Sequence, residues 1–415
     1  SMTDLFLTNI KVNQSRNIRD FEIPLSERAR KHLIITGKNG SGKTSLLNEL
    51  FVFLRQVDAG NPICPDYLKN SKSLPRINAD KELKELPPSQ MSAINQLKKL
   101  AQRTIDSFGG TEISFTVPDA AHEHAQKGDF LIAFYEAKRA TNLTVPTGVT
   151  KVKLKEKYSA NERAASKSFI QYLVNLKVER SFARDEDDGD AAQAIDDWFV
   201  RFEDHLKTLF QSPTLQLKFD RKNYNFEIIE EGKLPFNLNT LSDGYSAIIS
   251  IVTDLILRME GHGNKAYDLQ GVVLIDEIET HLHVDLQKRI LPFLIDFFPK
   301  IQFVVSTHSP FVLSSVPNAV ICDLEERIVT EDLSAYSYDA LVESYFDVDK
   351  YSDEVKQKVA RFEVLRSAST TSAEEKDELQ GLKDYFFHAP KYLSTELTMK
   401  LQQIELQNPP QKGNG

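Results

Sequence analysis

At 415 residues, 41% hydrophobic and 27% charged, the chain has the make-up of an ordinary soluble protein with room for two or three domains' worth of core. Its formal net charge of −9 excludes a protein coated on all sides by nucleic acid, while leaving room for one basic groove and so for contact with DNA. Two cysteines, Cys64 and Cys322, are too few for a disulfide framework or a zinc site and point to a reducing cytoplasm.

Taken in order, no stretch approaches the about 18 apolar residues of a membrane span, so no membrane partner is expected. The N-terminus lacks the charged-then-apolar pattern of a signal peptide, and Ser1 ahead of Met2 reads as a cloning remnant. Residues 4–12 and 18–24 read as short strands joined by the polar turn Asn13 to Arg16. The apolar run Leu33-Ile34-Ile35 then leads into Gly37-Lys38-Asn39-Gly40-Ser41-Gly42-Lys43-Thr44-Ser45, and Leu46 to Leu50 follow with helical spacing. Strand, glycine-rich loop and helix in that order are the context of the phosphate-binding pattern G-x-x-x-x-G-K-[ST]. The glycines let consecutive backbone N–H groups face one centre, to which the helix N-terminus adds its positive end. Lys43 is then expected to reach the terminal phosphates of a nucleoside triphosphate, and Thr44 to offer its hydroxyl to Mg²⁺.

Residues 56–90, rich in Pro, Asn, Lys and Asp, read as part of an insertion that ends in a helix over 90–107. Strand patterns return at Glu112 to Val117 and Phe130 to Tyr135, and Lys151 to Lys155 alternates like a half-exposed strand. Amphipathic helices are expected over 160–180 and 191–210, with the acidic run Asp185 to Asp190 as a solvated loop between them. Its sixth position is Asp190 where a calcium loop needs glycine. Leu215 to Phe219 and Asn225 to Ile229 read as a hairpin ahead of Leu241-Ser242-Asp243-Gly244-Tyr245-Ser246 and a helix to about Met259. A buried strand Val272 to Ile275, a helix over 284–297 and the strand Phe303 to Val305 complete a mostly parallel α/β sheet. Beyond 335 the chain reads helical and charged, and its tail over 409–415 reads as disordered.

Three further constellations carry chemistry. Asp276-Glu277 ends a buried strand, where Asp276 can hold Mg²⁺ opposite Thr44 and Glu277 can polarise the attacking water. His308, in Ser306-Thr307-His308-Ser309-Pro310, lies on the ligand side of an open sheet, where it can sense the γ-phosphate. Ser242, Asp243 and Gly244 open a helix that offers an anion site without a lysine, suited to a phosphate delivered by another subunit.

The order of these motifs resembles the ATP-binding-cassette ATPases of the chromosome-maintenance and recombination-repair branch. The resemblance implies a P-loop ATPase head with a mostly parallel sheet, an antiparallel lobe and helical insertions. It also implies head-to-tail dimers, or higher homo-oligomers, in which Ser242, Asp243 and Gly244 meet the partner's ATP. Glu277-Ile278-Glu279-Thr280-His281-Leu282-His283 is similar to the segment after the catalytic glutamate in overcoming-lysogenization-defect nucleases, and implies a subunit-contact loop at His281 and His283. Asn237 to Ile248, Tyr336 to Phe346 and Asp349 to Ser352 resemble the ATPase subunits of Septu anti-phage systems, which also occur as retron effectors. That likeness implies a separate His-Asn-His (HNH) nuclease subunit and, in a retron, a reverse transcriptase with its msDNA. Two departures stand out: Asp243 and Tyr245 replace the glycine and glutamine of transporter cassettes, and Glu136 to Arg139 is the nearest counterpart of the glutamine loop.

The expected organisation is an ATPase head over 2–335, with insertions at about 55–107 and 158–212, and a helical region over 336–408. Leu341, Val342, Tyr345, Phe346, Tyr385 and Phe386 are its candidate docking residues, with packing against the protein's own head as the competing reading. The hundred or so residues after His308 lack a nuclease's acidic pairs and any His-Asn-His cluster, so the chain is expected to be an ATPase and not a nuclease. Alternatives are a DNA-repair or recombination ATPase, which would need a long coiled coil or a basic saddle, and an ATP-gated scaffold with little turnover.

Overall fold

A computed structural model describes residues 3–61, 68, 90–137, 143–163, 168–264, 266–317, 319–331, 353–387, 399, 402–404 and 407. Strand β1 (Leu7–Ser15) pairs antiparallel with β2 (Ile18–Pro24). Pairing extends to Ser15 opposite Ile18, so the turn is Arg16-Asn17 and not the expected Asn13 to Arg16; Arg16 takes a left-handed φ of 54°. The apolar alternation Ile10, Val12 continues further than the polar side chains beside it suggested.

Next come β3 (Leu33–Thr36), α1 (Lys43–Ala59), α2 (Met91–Asp106), β4 (Thr111–Phe115), α3 (Ala120–Lys127) and β5 (Phe130–Tyr135). Strand β4 joins the other edge of β1, which makes the antiparallel lobe β2-β1-β4. Helix α3 was not expected from the sequence. Helices α4 (Phe169–Asp185) and α5 (Gly189–Phe210) form a hairpin in which the Trp198 ring stacks on Phe202 at 5.3 Å. Helix α4 begins later than the expected residue 160. The acidic turn is shorter than expected, because Asp188 accepts the Ala191 N–H at 3.1 Å and caps α5.

The hairpin β6 (Gln216–Asp220) and β7 (Asn225–Ile229) forms as expected, with β8 (Phe236–Asn237) added. Helix α6 (Asp243–Gly261), β9 (Gln270–Ile275), α7 (Val284–Phe297), β10 (Ile301–Ser306) and the short α8 (Pro310–Leu313) follow. Strands β11 (Val320–Asp323) and β12 (Ile328–Thr330) escaped the sequence reading, being short and interrupted by charge.

The main sheet has the order β12-β11-β3-β10-β9-β5, parallel except for β12. Every residue of β3, β5, β9 and β10 is buried, as near-continuous apolar runs require when both faces are covered. Alternate residues divide between two cores. Leu33, Ile35, Val272, Leu274 and Val304 face Leu46, Leu50 and Phe53 of α1 and the antiparallel lobe. Ile34, Val273, Ile275, Phe303 and Val305 face Ile251 and Leu255 of α6 and Ile290 and Leu294 of α7. Two buried glutamines at the strand starts fasten the chain's N-terminal segment to this sheet. Gln270 Oε1 accepts the Leu5 N–H at 2.6 Å, and Gln302 Oε1 accepts that of Leu7 at 2.8 Å.

Lys151 to Lys155 does not form the expected strand. Among the described residues the segment pairs with no strand: it runs beside the end of α6, where a Cβ on Gly261 would meet the Lys155 carbonyl at 2.1 Å. Its Lys155 N–H donates to the Tyr158 hydroxyl at 3.0 Å. Helices α9 (Asp353–Ser367) and α10 (Ala373–Phe387) carry a small core of their own, Phe362, Leu365, Leu382, Phe386 and Ile404. Phe386 is therefore packed within this region rather than on the head, while Tyr385 is exposed on α10. Among the described residues Met399 packs against Val284 and Phe311. Cys64, Lys138, Arg139, Leu341, Val342, Tyr345, Phe346 and the 409–415 tail lie outside the described residues, as do the stretches 336–346 and 349–352.

Candidate active site

Three neighbouring parallel strands, β3, β10 and β9, bring their carboxyl ends together with Ile35 level with Ser306 and Val305 level with Ile275. The residues that follow each strand therefore meet at one edge of the sheet, where open α/β sheets place their ligands. Hydrogen bonds continue the ladder past the strand ends: Thr307 N–H donates to the Ile35 carbonyl at 2.9 Å and Ile278 N–H to that of Ser306 at 3.1 Å.

After β3 the chain turns through Gly37, Gly40 and Gly42 at φ 143°, 84° and 99°, values that disfavour any side chain. Lys43 opens α1 and is 7% exposed. Its Nζ donates to the carbonyls of Gly37 and, at 3.1 Å, Lys38, so the ammonium is folded back over the loop. Burial lowers its pKa, and Glu279, Glu277, Asp276 and Glu325 oppose that shift. The Ser41 hydroxyl is buried inside the same loop and, among the described residues, has no hydrogen-bond partner. An orphaned donor beside a lysine and a helix N-terminus fits the phosphates of a nucleotide.

At the second strand end, Thr44 Oγ1 donates to both Asp276 carboxylate oxygens, at 3.0 and 3.3 Å. Ser306 Oγ donates to Asp276 Oδ1 at 2.5 Å and accepts the Glu277 N–H at 2.7 Å. One serine from β10 thus holds the Asp276 carboxylate and the Glu277 backbone just past the end of β9. A hydroxyl and a carboxylate in mutual contact are the hard oxygen donors that Mg²⁺ takes alongside phosphate and water, so Thr44 and Asp276 would hold that ion. Glu277 adopts a left-handed φ of 46°, an uncommon conformation that such a site can maintain because its N–H is tied to Ser306.

The third strand end carries His308. Its Nδ1 lies 2.7 Å from Glu279 Oε1, a carboxylate 5% exposed. Thr307 Oγ1 donates to the other oxygen at 2.6 Å, and the His308 N–H to Oε1 at 3.1 Å. Ser309, not His308, caps the following helix, and its hydroxyl donates to Gln287 Oε1 at 2.5 Å. The sequence reading missed Glu279 as a site residue; its available signal was a third acid two positions beyond Glu277, too close to Asp276-Glu277 to be separated from them without coordinates.

Two more residues emerge only in three dimensions. Arg16, in the β1–β2 turn, brings its Cδ to 4.0 Å from where a Gly42 Cβ would sit, which places a cationic side chain over the phosphate loop. Glu325, between β11 and β12, pairs with Lys38 Nζ at 3.1 Å and accepts the Lys38 N–H at 3.4 Å. Glu136 follows β5, whose last residue Tyr135 is level with Ile275, so it stands beside Asp276 at the sheet's edge.

Ser242 and Asp243 are exposed at the start of α6, and the Ser242 hydroxyl does not cap the helix. A Cβ on Gly244 would meet the His281 carbonyl at 3.0 Å, so glycine there lets the signature pack against the loop that follows Glu277. The structure thus joins Gly37 to Ser45, Asp276, Glu277 and His308 at one edge of the sheet and sets Ser242 to Gly244, at the start of α6, against the loop that follows Glu277. His281 and His283 are exposed in that loop.

The chain is 33% identical over 156 residues to the Septu protein PtuA of Bacillus mycoides strain KBAB4, a stretch covering 35% of this chain and 22% of that protein. It is 34% identical over 128 residues to the "Retron Vc95 probable ATPase" of Vibrio cholerae serotype O1 biovar El Tor, covering 30% and 24%. The matches thus span about a quarter of the length of these relatives. Among solved structures, the SMC head domain from Thermotoga maritima is similar at 14% identity and a TM-score of 0.34, over 76% of this chain and 94% of that one. No helix of the described residues is long and apolar enough to cross a membrane. A family model described as "AAA domain, putative AbiEii toxin, Type IV TA system" matches residues 33–314, from β3 and its phosphate loop to the end of α8. The chain belongs to this AAA-domain family.

Proposed function

We propose that the chain binds ATP with Mg²⁺ and hydrolyses it as the ATPase subunit of an anti-phage defence assembly. The observation that carries this reading is the contact of Thr44 with Asp276, with Glu277 anchored beside them by Ser306. In this reading Lys43 neutralises the terminal phosphates, Thr44 and Asp276 hold the ion, Glu277 receives the proton of the attacking water and His308 meets the γ-phosphate. The head spans 2–335, with the insertions at about 55–107 and 158–212 and the helical region over 336–408 appended to it. The defence context is supported by the Septu and retron relatives.

Head-to-tail dimerisation is part of the proposal, supported by the exposure of Ser242 and Asp243 at a helix N-terminus. Wild-type chain is expected to elute as a larger species with ATP and Mg²⁺ than without nucleotide. Ser242→Arg places bulk and charge where the partner's γ-phosphate would sit, and is expected to stay at the smaller size. Elution of wild type unaffected by ATP removes the dimer from the proposal.

Control of a separate HNH nuclease is the remaining part. The purified chain alone, with plasmid and Mg²⁺ or Mn²⁺, is expected to leave the DNA intact and to cut only with the product of its neighbouring gene. Nicking by the chain alone, abolished by a substitution outside the ATP site, would overturn that division of labour.

A further inference from the structure

Glu279 is an expensive residue to bury. A carboxylate 5% exposed loses most of its hydration, and such burial is tolerated when partners replace the lost water. Three donors do so here: Thr307 Oγ1 at 2.6 Å, the His308 backbone N–H at 3.1 Å and His308 Nδ1 at 2.7 Å. All three come from the turn after β10, while Glu279 comes from the turn after β9. The carboxylate therefore ties together two of the strand ends that make the site. Because it occupies Nδ1, any ligand must be met by Nε2, on a ring that is 38% exposed.

We infer that Glu279 is a positioning residue that holds His308 as an oriented cation, so that Nε2–H is presented to the terminal phosphate. The inference rests on the ATPase reading above and adds to it the group that makes His308 competent. A structural tie alone would not need a charge: a glutamine oxygen can accept from a threonine hydroxyl or a backbone N–H. What a carboxylate adds is preference for the doubly protonated imidazole, which carries a proton on each nitrogen.

The charged groups around the ring agree with this direction. Hydrogen bonding and attraction to Glu279 raise the His308 pKa above the ordinary histidine value, with Glu277 aiding and burial and Lys43 opposing. Burial raises the Glu279 pKa, but the His308 and Thr307 contacts outweigh it and leave the group below the ordinary glutamate value. The raised histidine contributes stability in full below its unfolded pKa and loses it as pH rises through its folded one. The lowered glutamate contributes above its unfolded pKa and loses that contribution as pH falls through its folded one. The two shifts have the same sense, each favouring the charged form of its own partner.

The test uses the full chain with ¹³C-labelled imidazole rings, the His308 resonance being identified by its disappearance in His308→Asn. In wild type the ring is expected to titrate above the ordinary histidine midpoint, and in Glu279→Gln the midpoint is expected to fall. A wild-type midpoint at or below the ordinary value overturns the inference, as does a midpoint unmoved by Glu279→Gln. In hydrolysis assays Glu279→Gln should leave the KM for ATP within about twofold and lower kcat by at least about tenfold, in line with a carboxylate that orients a histidine. The alkaline limb of its pH–rate profile should move to lower pH, and on a His308→Asn background the substitution should cost nothing further. A full additional loss on that background also overturns the inference. A chain that titrates as expected yet hydrolyses no ATP would leave the Glu279–His308 coupling standing and refute the ATPase reading instead.

Discussion

Lys43→Ala is expected to weaken ATP binding by at least about a hundredfold while the protein stays folded. The lysine would supply the phosphates with two charge-assisted hydrogen bonds, each worth about 1.5–3 kcal/mol, and about 1.4 kcal/mol corresponds to tenfold in affinity. Among the described residues its Nζ donates to two carbonyls of its own loop, Gly37 and Lys38, so removing it breaks none of the hydrogen bonds described between secondary-structure elements. Leu46, Leu47, Leu50 and Phe53, which dock α1 on the sheet, are untouched. Titration calorimetry with ATP and Mg²⁺ measures the first part and thermal melting by circular dichroism the second. An unchanged dissociation constant would show that the loop is not the phosphate site.

Glu277→Gln is expected to separate binding from chemistry. A positioned general base contributes about 10²–10⁴-fold to a proton-transfer step, and kcat should fall within that range. The variant keeps the backbone N–H that donates to Ser306 and a side chain of the same shape, so the left-handed turn at φ 46° persists and ATP still binds. Because cleavage slows more than binding, the ATP-bound assembly should accumulate, visible as a larger species on sizing chromatography. Single-turnover hydrolysis decides the chemistry: a rate within about threefold of wild type would reassign the base, with Glu279 excluded from that role by its three internal hydrogen bonds.

The two substitutions probe different layers of the same edge, and their contrast with Glu279→Gln is informative. Lys43 would act on the bound phosphates, Glu277 on the attacking water and Glu279 through His308. Loss of binding, loss of turnover with binding retained, and loss of turnover with a displaced alkaline limb are three distinguishable outcomes.

Much of this site was legible in the amino-acid sequence because its parts are local. The phosphate loop is one continuous run in which glycine, lysine and threonine must stand at set spacings, since the backbone itself does the binding. Asp276-Glu277 and His308 stand out because each follows a run apolar enough to be a doubly covered strand, and the end of such a strand is where a parallel sheet keeps its ligands. The parallel α/β class, helix α7 and the β6–β7 hairpin follow from the same periodicities.

What only the tertiary structure decided is pairing between distant segments. No local pattern says that β10 lies between β3 and β9, yet this order lets Ser306 touch Asp276 and Glu277 together. The same order turns Glu279 from a third acid in a loop into the anchor of His308. Arg16 and Glu325 reach the phosphate loop from turns that precede and follow it by many residues, and their own sequences carry no sign of it. Lys151 to Lys155 shows the converse: its alternation is that of a strand, but a strand needs an unpaired edge beside it, and the fold put the end of α6 there instead. Side-chain pattern is a property of the chain alone, whereas hydrogen-bond partners are a property of what the chain folds against.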